Sequence, residues 1–260
     1  MELSARLEAL IGVAEPGCTV ADIGTDHGFL PIELVRRGIC RRAVACDVRK
    51  GPLERAAEHV RQAGLEDRIR ICLADGLEGL SPGEADTVVL AGMGGELMAT
   101  LLEKAAPELL GSIRRLILQP QSEFERLRRA ADALGWEPFK EQMVLDRGKY
   151  YWLMVCRRKD SSPSEEAILP GEETRKTGDK CCVSEEQPFY EEAWQYKYGK
   201  LLPFREDSVF EEYLEKQRRT AEDLLHQLMD IPGEAAALRR ARLQIDLEHM
   251  EQAKAAKGRS

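Results

Sequence analysis

The stretch VADIGTDHG, residues 20–28, decides the fold of this chain. Its apolar start, Val20 to Ile23, ends at Gly24, which predicts a buried strand that enters a tight turn. The apolar residues that follow predict a helix over 30–37, with Pro31 tolerated because it lies near the start of the helix. A strand, a glycine turn and a helix therefore follow one another directly.

The same alternation repeats along the first 158 residues. Four further strands are predicted, over 43–46, 69–73, 87–90 and 115–118. The other predicted helices cover 4–12, 52–63, 96–104 and 123–134. A hairpin follows, with strands over 143–145 and 150–156 flanking Asp146-Arg147-Gly148-Lys149. Strands that alternate with helices predict an α/β fold, a Rossmann-like, mostly parallel, doubly wound sheet.

The rest of the chain has a different character. Residues 159–188 are polar and rich in Ser, Glu, Gly and Pro, which indicates a linker, and we interpret Cys181-Cys182 there as an incidental exposed pair. Helical periodicity over 207–229 and 234–256, with Pro232-Gly233 between, predicts a coiled-coil hairpin. We expect a domain over 1–158, a linker or insertion over 159–206 and a helical hairpin over 207–260.

Composition excludes several classes of function. The 260 residues carry a net charge of −8, so a wholly basic nucleic-acid-binding chain is excluded, although a local basic face could still bind RNA. The sequence has no apolar run long enough for a bilayer, and its first ten residues are amphipathic rather than a signal peptide. The seven cysteines form no C-x-x-C pair, so we expect no metal site and a cytoplasmic protein, with a monomer favoured.

Three acidic residues mark the ends of successive strands. Asp22 precedes the first glycine turn and suits a ligand with a positive ammonium group. Asp47 could accept from two ribose hydroxyls, as the acid of NAD-binding sheets does, and Asp75 from an adenine amino group. The glycine pattern lacks the third glycine of G-x-G-x-x-G, which argues against a nicotinamide enzyme. Aspartate is also common in turns, so three exposed turn residues are the alternative interpretation.

The motifs around these acids resemble those of one known family. They are VADIGTDHGFLP (20–31), CDVRKGPLERA (46–56), ADGL (74–77), LAGMGGELM (90–98), LILQPQ (116–121) and GKYYWLM (148–154). In this order and spacing they closely resemble the bacterial tRNA (adenine(22)-N1)-methyltransferases, over residues 3–157 and more weakly beyond. The resemblance implies a class I methyltransferase domain with a C-terminal coiled coil. It also implies S-adenosylmethionine as donor and N1 of a tRNA adenine as acceptor.

The resemblance also implies roles for residues at matching positions. The cofactor residues would be Asp22, Gly24 and Gly28 for methionine, Asp47 for ribose, Asp75 for adenine and Gly92 beside the methyl group, with Val48 and Gly76 also in the cofactor site. Met93 would belong to the loop beside the methyl group, and Gln121 would face the target base. Similar sequences usually have Asn where this chain has Gln121, so the amide here is one methylene further from the backbone.

Asp26 and His27 are the candidates for positioning the target base. Asp26 could accept from the N6 amino group and absorb developing positive charge at N1, and His27 could stack or hydrogen-bond. The alternatives are that Asp26 caps the helix and that His27 has a packing role. Arginine clusters could contact phosphates or merely solvate helix faces: Arg36-Arg37, Arg41-Arg42, Arg114-Arg115, Arg126, Arg128-Arg129, Arg218-Arg219, and Arg239-Arg240 with Arg242.

Other functions remain open from the sequence. The chain could methylate another RNA or a small molecule, or it could be a non-catalytic RNA-binding adaptor. A small-molecule enzyme would be expected to close a lid over its pocket, whereas this sequence predicts an extended helical arm. Retention of Asp22, Asp47 and Asp75 argues against an adaptor.

Overall fold

The structure, a computed structural model, describes residues 3–159 and 189–257. The strands are β1 (Cys18–Ile23), β2 (Cys40–Asp47), β3 (Ile69–Leu73), β4 (Thr87–Ala91), β5 (Arg115–Gln119), β6 (Trp136–Asp146) and β7 (Lys149–Arg158). The helices are α1 (Ala5–Gly12), α2 (Phe29–Arg36), α3 (Lys50–Gln62), α4 (Gly95–Lys104), α5 (Pro107–Ser112), α6 (Phe124–Ala133), α7 (Ala193–Tyr198), α8 (Ser208–Leu228) and α9 (Glu234–Ala255). The predicted alternation is confirmed, and α5 and α7 are additions to it.

The strands form one mixed sheet in the order β3-β2-β1-β4-β5-β7-β6. Strands β1 to β5 are parallel, and β7 runs antiparallel to both β5 and β6. The chain winds outward from β1 to β3 and then returns to place β4 on the other side of β1. Parallel sheets bind ligands at the carboxyl ends of their strands where the winding reverses. Here that point lies between β1 and β4.

Each face of the sheet is covered by helices. Successive residues of β4 alternate between the faces, with Val88 and Leu90 in one apolar core and Val89 in the other. Residues of α1, α2 and α3 fill the core with Val89, and those of α4, α6 and the C-terminal helices fill the opposite one. Burial on both faces explains why the strands read as continuous apolar runs.

Helices α8 and α9 form the predicted helical hairpin, joined at Pro232-Gly233. Asp207 caps α8 by accepting hydrogen bonds from the backbone N–H groups of Val209 and Phe210. The apolar positions of both helices, including Phe210, Leu214, Leu243 and Met250, are buried in the core that also contains Trp152 of β7. The hairpin is therefore packed on the seven-stranded sheet as well as on itself.

Residues 189–206, which we expected to be part of a linker, contain α7 and several buried side chains. Tyr190, Trp194, Tyr198 and Leu202 are each at most 5% exposed. Aromatic residues in this tract give it enough apolar surface to pack against α6 and α9. The polar segment up to residue 188, with Cys181-Cys182, lies outside the described residues apart from Lys159. The boundaries of the three domains stay a prediction.

The hairpin of β6 and β7 extends past the carboxyl end of the parallel sheet. β7 pairs with β5 only from Met154 to Arg157, so its first five residues continue beyond β5. At about 3.3 Å per residue, the tip projects by about 15 Å. Exposed Arg147 and Lys149 lie at this tip. The tip therefore stands beside the edge of the sheet where a ligand would bind.

Three further features bear on the predicted class of protein. Cys18, Cys40, Cys46, Cys72 and Cys156 are buried and free, as expected for small apolar residues. No helix within the described residues is long and apolar enough to span a membrane. Across residues 3–159 and 189–257, no group of His, Cys, Asp and Glu side chains could hold a metal ion.

Candidate active site

The carboxyl edge of the sheet brings the predicted acids to one crevice. Asp22, the penultimate residue of β1, pairs in register with Ala45 of β2 and Val89 of β4. Asp47 ends β2, and both carboxylates are almost completely buried. Asp75 lies two residues after β3 and is exposed. The parallel sheet therefore places all three acids along one edge, with two buried and one open to solvent.

Burial raises the pKa of Asp22 to about 6. The nearby Thr25 hydroxyl and the positive charge of Arg6 lower the pKa of Asp22, and the negative charge of Asp47 raises it further. A carboxylate costs free energy when it is removed from water without a cation beside it. Burial therefore outweighs the nearby Arg6 charge, and a positive ligand bound beside Asp22 would further favour its ionised form.

The loop after β1 is fixed against β2. Backbone N–H groups of Gly24 and Thr25 both donate to the carbonyl oxygen of Cys46, at 2.9 and 2.8 Å. Gly24 has a φ of +80°, and a Cβ there would lie 2.8 Å from the terminal methyl of Met93. The hydroxyl of Thr25 is buried near Asp22 but makes no hydrogen bond of normal geometry to a described residue. This loop thus exposes the Gly24 backbone to the crevice and holds the buried Thr25 hydroxyl near Asp22.

The loops after β4 and β5 are bonded to each other. The Gly92 N–H donates to the Gln119 carbonyl at 3.1 Å, and the Gln121 N–H donates to the Met93 carbonyl at 3.0 Å. Met93 also touches the Gly24 position, so the loops after β1, β4 and β5 form a continuous wall. The Gln121 side chain is exposed at the rim. The structure therefore brings Met93 and Gln121 together in this wall.

Arg6 of α1 is a site residue that the sequence analysis missed. Its Nε donates to Oε1 of Gln119 at 2.5 Å, and its guanidinium lies over the ring of Tyr151 with 5.0 Å to the centroid. It also contacts Gly92, where a Cβ would lie 2.5 Å from a guanidinium nitrogen. The Gln119 side chain is fully buried, and its amide nitrogen has no partner among the described residues. A cation and an amide donor thus line the crevice close to Asp22.

Asp26 and His27 lie at the mouth of the crevice. The Asp26 carboxylate is 3.1 Å from Nε2 of His27 and 3.2 Å from a guanidinium nitrogen of Arg55. Its side chain is 59% exposed, so it remains open to a substrate. Gly28, not Asp26, occupies the N-cap position of α2, and no side chain caps this helix. The capping interpretation of Asp26 is therefore wrong.

The remaining predicted cofactor residues fall into two groups. Gly28 and Gly76 both have positive φ, and their α-carbons face apolar neighbours, Ala56 and Leu101 respectively. A Cβ at Gly76 would lie 2.3 Å from a Leu101 methyl, so a larger residue there would have to displace the Leu101 side chain as well as adopt a positive φ. Val48 is 61% exposed beside Asp47, so its side chain is available to a ligand.

Most arginine clusters are engaged within the protein. Surface glutamates or aspartates pair with Arg36, Arg37, Arg114, Arg115, Arg126, Arg129, Arg218 and Arg219. Arg240 donates to the carbonyl oxygens of Leu228 and Ile231 at the end of α8. Arg128 is 1% exposed, so its assignment to an RNA-binding cluster is wrong. Its charge is instead satisfied by Glu141 in the protein interior.

Comparison with known proteins identifies the family. Residues 3–154 match the family described as a methyltransferase domain. The tRNA (adenine(22)-N(1))-methyltransferase of Bacillus subtilis strain 168 is 33% identical over 168 residues, which cover 65% of this chain and 70% of that protein. The chain belongs to this methyltransferase family. The resemblance drawn from the motifs is therefore confirmed.

Solved structures extend the similarity to the C-terminal helices. The Bacillus subtilis m1A22 tRNA methyltransferase TrmK superposes with a TM-score of 0.79 at 25% identity, covering 97% of this chain and 99% of that one. A Streptococcus pneumoniae relative, Sp1610, solved in complex with S-adenosyl-L-methionine, has a TM-score of 0.75 at 26% identity and covers 97% and 100%. S-adenosylmethionine is accordingly the cofactor of this methyltransferase.

The residues that the sequence analysis missed differ in how they could have been found. Gln119 ends β5 at the same edge as the acids, so its position in the alternation was a usable indication. Arg6 lies 113 residues from Gln119 and belongs to an ordinary amphipathic helix. Only the packing of α1 against the sheet brings its guanidinium into the site of the methyltransferase.

Proposed function

We propose that this protein transfers the methyl group of S-adenosylmethionine to N1 of adenine 22 in tRNA, in the cytoplasm. The observation that carries the proposal is the buried Asp22 at the reversal point of the sheet, between the glycine turns after β1 and β4. Membership of the methyltransferase family supports the same reaction. We favour a monomer as the working form.

The crevice has the donors and acceptors that this cofactor requires. Asp22 would accept from the methionine ammonium group, and Asp47 would accept from the ribose hydroxyls. Gly24 and Gly92 let the backbone approach closely, since each has a φ of +80° and no side chain. The Gln119 amide, which has no partner among the described residues, suits a polar ligand, and Arg6 suits its carboxylate. Asp75 with Gly76, and the exposed Val48, would border the adenine and ribose.

When bound, the cofactor supplies an electrophilic methyl group on a sulfonium centre. The protein must then hold the adenine N1 lone pair in line with that methyl group and exclude alternative orientations. We assign this positioning to the Met93 loop, the Gln121 side chain and the pair Asp26–His27. Methylation leaves a positive charge on the base, which the exposed Asp26 carboxylate would stabilise. His27 and Arg55 hold that carboxylate at the mouth of the crevice.

The target adenine must leave its helical stack to enter such a crevice. Phosphate contacts beside the crevice would hold the RNA while the base turns out. The hairpin tip offers exposed Arg147 and Lys149 on the correct edge of the sheet, and α9 offers exposed Arg239 and Arg242. We propose that these cations, rather than the paired arginine clusters, contact the tRNA backbone.

Methyl transfer from labelled S-adenosylmethionine to an unmodified tRNA transcript tests the proposal. The expected result is one methyl group per tRNA, mapped to N1 of adenine 22, and none on a transcript with guanine at that position. Cofactor binding without any transfer to tRNA would overturn the substrate assignment. Methyl transfer to a different RNA would support the methyltransferase reaction and replace tRNA as the assigned substrate.

A further inference from the structure

Three aromatic rings lie together beside Asp26, on the surface formed by α2 and α3. His27 and Phe29 have ring centroids 5.3 Å apart, Phe29 and His59 5.1 Å apart, and His27 and His59 5.9 Å apart. The three planes lie within 31° of one another. A column of three stacked rings would separate the outer two by twice the distance between neighbours. The nearly equal distances instead place the Phe29 ring in offset stacking against both histidine rings, with the two histidines side by side, and we call this cluster the ring shelf.

The ring shelf is held in place and remains partly open. Nδ1 of His59 lies 2.9 Å from the carbonyl oxygen of His27, which fixes one ring against the loop that carries the other. All three residues are only half-buried. An apolar core residue at these positions would be covered by neighbours. These rings instead leave aromatic surface accessible next to the site proposed for the target base.

A groove of about 710 Å³ adjoins the ring shelf and includes Phe29 and His59 in its wall. Its arginines are neutralised, with Arg36 2.9 Å from Glu33 and Arg37 2.7 Å from Glu8. A groove with balanced charges does not favour a phosphate group. An aromatic wall with balanced charge favours a flat, uncharged ring, and RNA-binding proteins stack unpaired bases on such walls.

We propose that the ring shelf of His27, Phe29 and His59 is a second nucleobase site, which stacks an unpaired base of the tRNA next to the target adenine. This inference rests on the proposed function. His27 belongs to both sites, because its Nε2 contacts Asp26 while its ring joins the shelf. Stacking the neighbouring base would hold the strand open while the adenine occupies the crevice.

The test compares His59→Ala, which removes one ring, with His59→Phe, which keeps a ring without the hydrogen bond. We expect His59→Ala to weaken binding of the tRNA transcript about tenfold, as stacking of a base on an aromatic side chain contributes this much or more. The tRNA affinity of His59→Phe should stay within about threefold of the wild-type affinity, because the aromatic ring for stacking is kept. S-adenosylhomocysteine affinity should be equal in all three proteins. His226→Ala, which removes an exposed ring from α8 rather than from the shelf or its groove, is the control and should bind tRNA normally.

A transcript with 2-aminopurine at either neighbour of the target adenine reports stacking directly. Its fluorescence should change on binding wild type and His59→Phe, and much less on saturation with His59→Ala. Equal tRNA affinity of wild type and His59→Ala would overturn the shelf. Equal weakening in His59→Ala and His59→Phe would also overturn it, because the hydrogen bond to His27 would then be what matters. If the wild-type protein neither binds nor methylates tRNA, the proposed function is overturned, and the proposed role of the ring shelf is overturned with it.

Discussion

Arg128 of α6 and Glu141 of β6 form an ion pair in the protein interior, with 3.0 Å between Nη2 and Oε1. The guanidinium also donates to the carbonyl oxygens of Tyr196 and Lys197 and lies over the Trp152 ring. Oε2 of Glu141 accepts from the N–H groups of Leu201 and Leu202. This one pair therefore joins the sheet to the chain segment that leads into the helical hairpin.

Removal of either partner should destabilise the whole protein. Arg128→Met leaves Glu141 buried without a cation, and such a change costs about 3–5 kcal/mol. Urea unfolding should show this loss in a single transition. Arg36→Met, which removes the exposed pair with Glu33, is the control and should change the midpoint little. A stable Arg128→Met protein that loses only the C-terminal helices would show that the two parts fold independently.

This pair also determines how the helical hairpin can be tested. Truncation before residue 189 would uncover Trp152 and leave Arg128 and Glu141 without their backbone partners. Such a protein would lose stability as well as RNA contacts. Point changes on exposed residues are therefore the appropriate test of RNA binding.

The pKa of Asp22 predicts a pH-dependent stability and affinity. Because its folded pKa, about 6, exceeds the ordinary 3.8, the folded state loses stability as pH rises between these values, and the loss stays constant above them. Without ligand, Asp22→Asn should therefore stabilise the protein at pH 8 by up to about 3 kcal/mol. The gain should shrink between pH 6 and pH 4. Thermal unfolding between pH 4 and pH 8 measures this stability gain. The control is Asp67→Asn, at an exposed position.

Cofactor affinity should rise with pH, whereas the stability of the ligand-free protein falls with pH. A positive ligand binds the ionised form of Asp22, so affinity should fall by up to about tenfold per pH unit below pH 6. Asp22→Asn should bind S-adenosylhomocysteine weakly, with little pH dependence. Titration calorimetry at pH 5 to 8 checks both expectations. Wild-type affinity that is constant across this range would contradict the placement of the ammonium group beside Asp22.

Gly92→Ala should damage the site more than the fold. Its Cβ would displace the Arg6 guanidinium from Gln119, so we expect methyl transfer to fall at least tenfold. Gly83 has nearly the same φ, +79° against +80°, and open space around its α-carbon. Both variants share a backbone cost of about 1–2 kcal/mol. Gly83→Ala should therefore lose stability but keep its kcat/KM, and a similar loss of kcat/KM in both would contradict the role of Arg6.

The hairpin tip should contribute to tRNA affinity through charge. Arg147→Gln with Lys149→Gln removes two exposed cations beside the crevice, and should reduce the slope of log Kd against log salt by about 1.5. Arg41→Gln with Arg42→Gln removes the same charge from exposed residues of β2 at the opposite edge of the sheet. Filter binding at several salt concentrations compares the two. Equal reductions of the salt slope in the two double variants would indicate a non-specific electrostatic attraction rather than phosphate contacts at the tip.

Much of the site followed from local pattern. Apolar runs that end in Asp or Gly predicted β1 to β4, and parallel strands necessarily bring their carboxyl ends to one edge. Asp22, Asp47 and Met93 could therefore be placed from the sequence. The helices α5 and α7 were missed because each has only six residues, too few to show a period of 3.6.

The sequence by itself determined the alternation of strands and helices, the family and the acids of the crevice, because these depend on neighbours within a few residues. Only the tertiary structure decided the environment of each charge. Arg6 and Arg128 both occur in helices among other charged residues, yet one reaches Gln119 in the active site and the other is buried on Glu141. The reason is physical: the pKa of a group and its partners depend on burial and on charges brought near by packing, which local sequence does not encode.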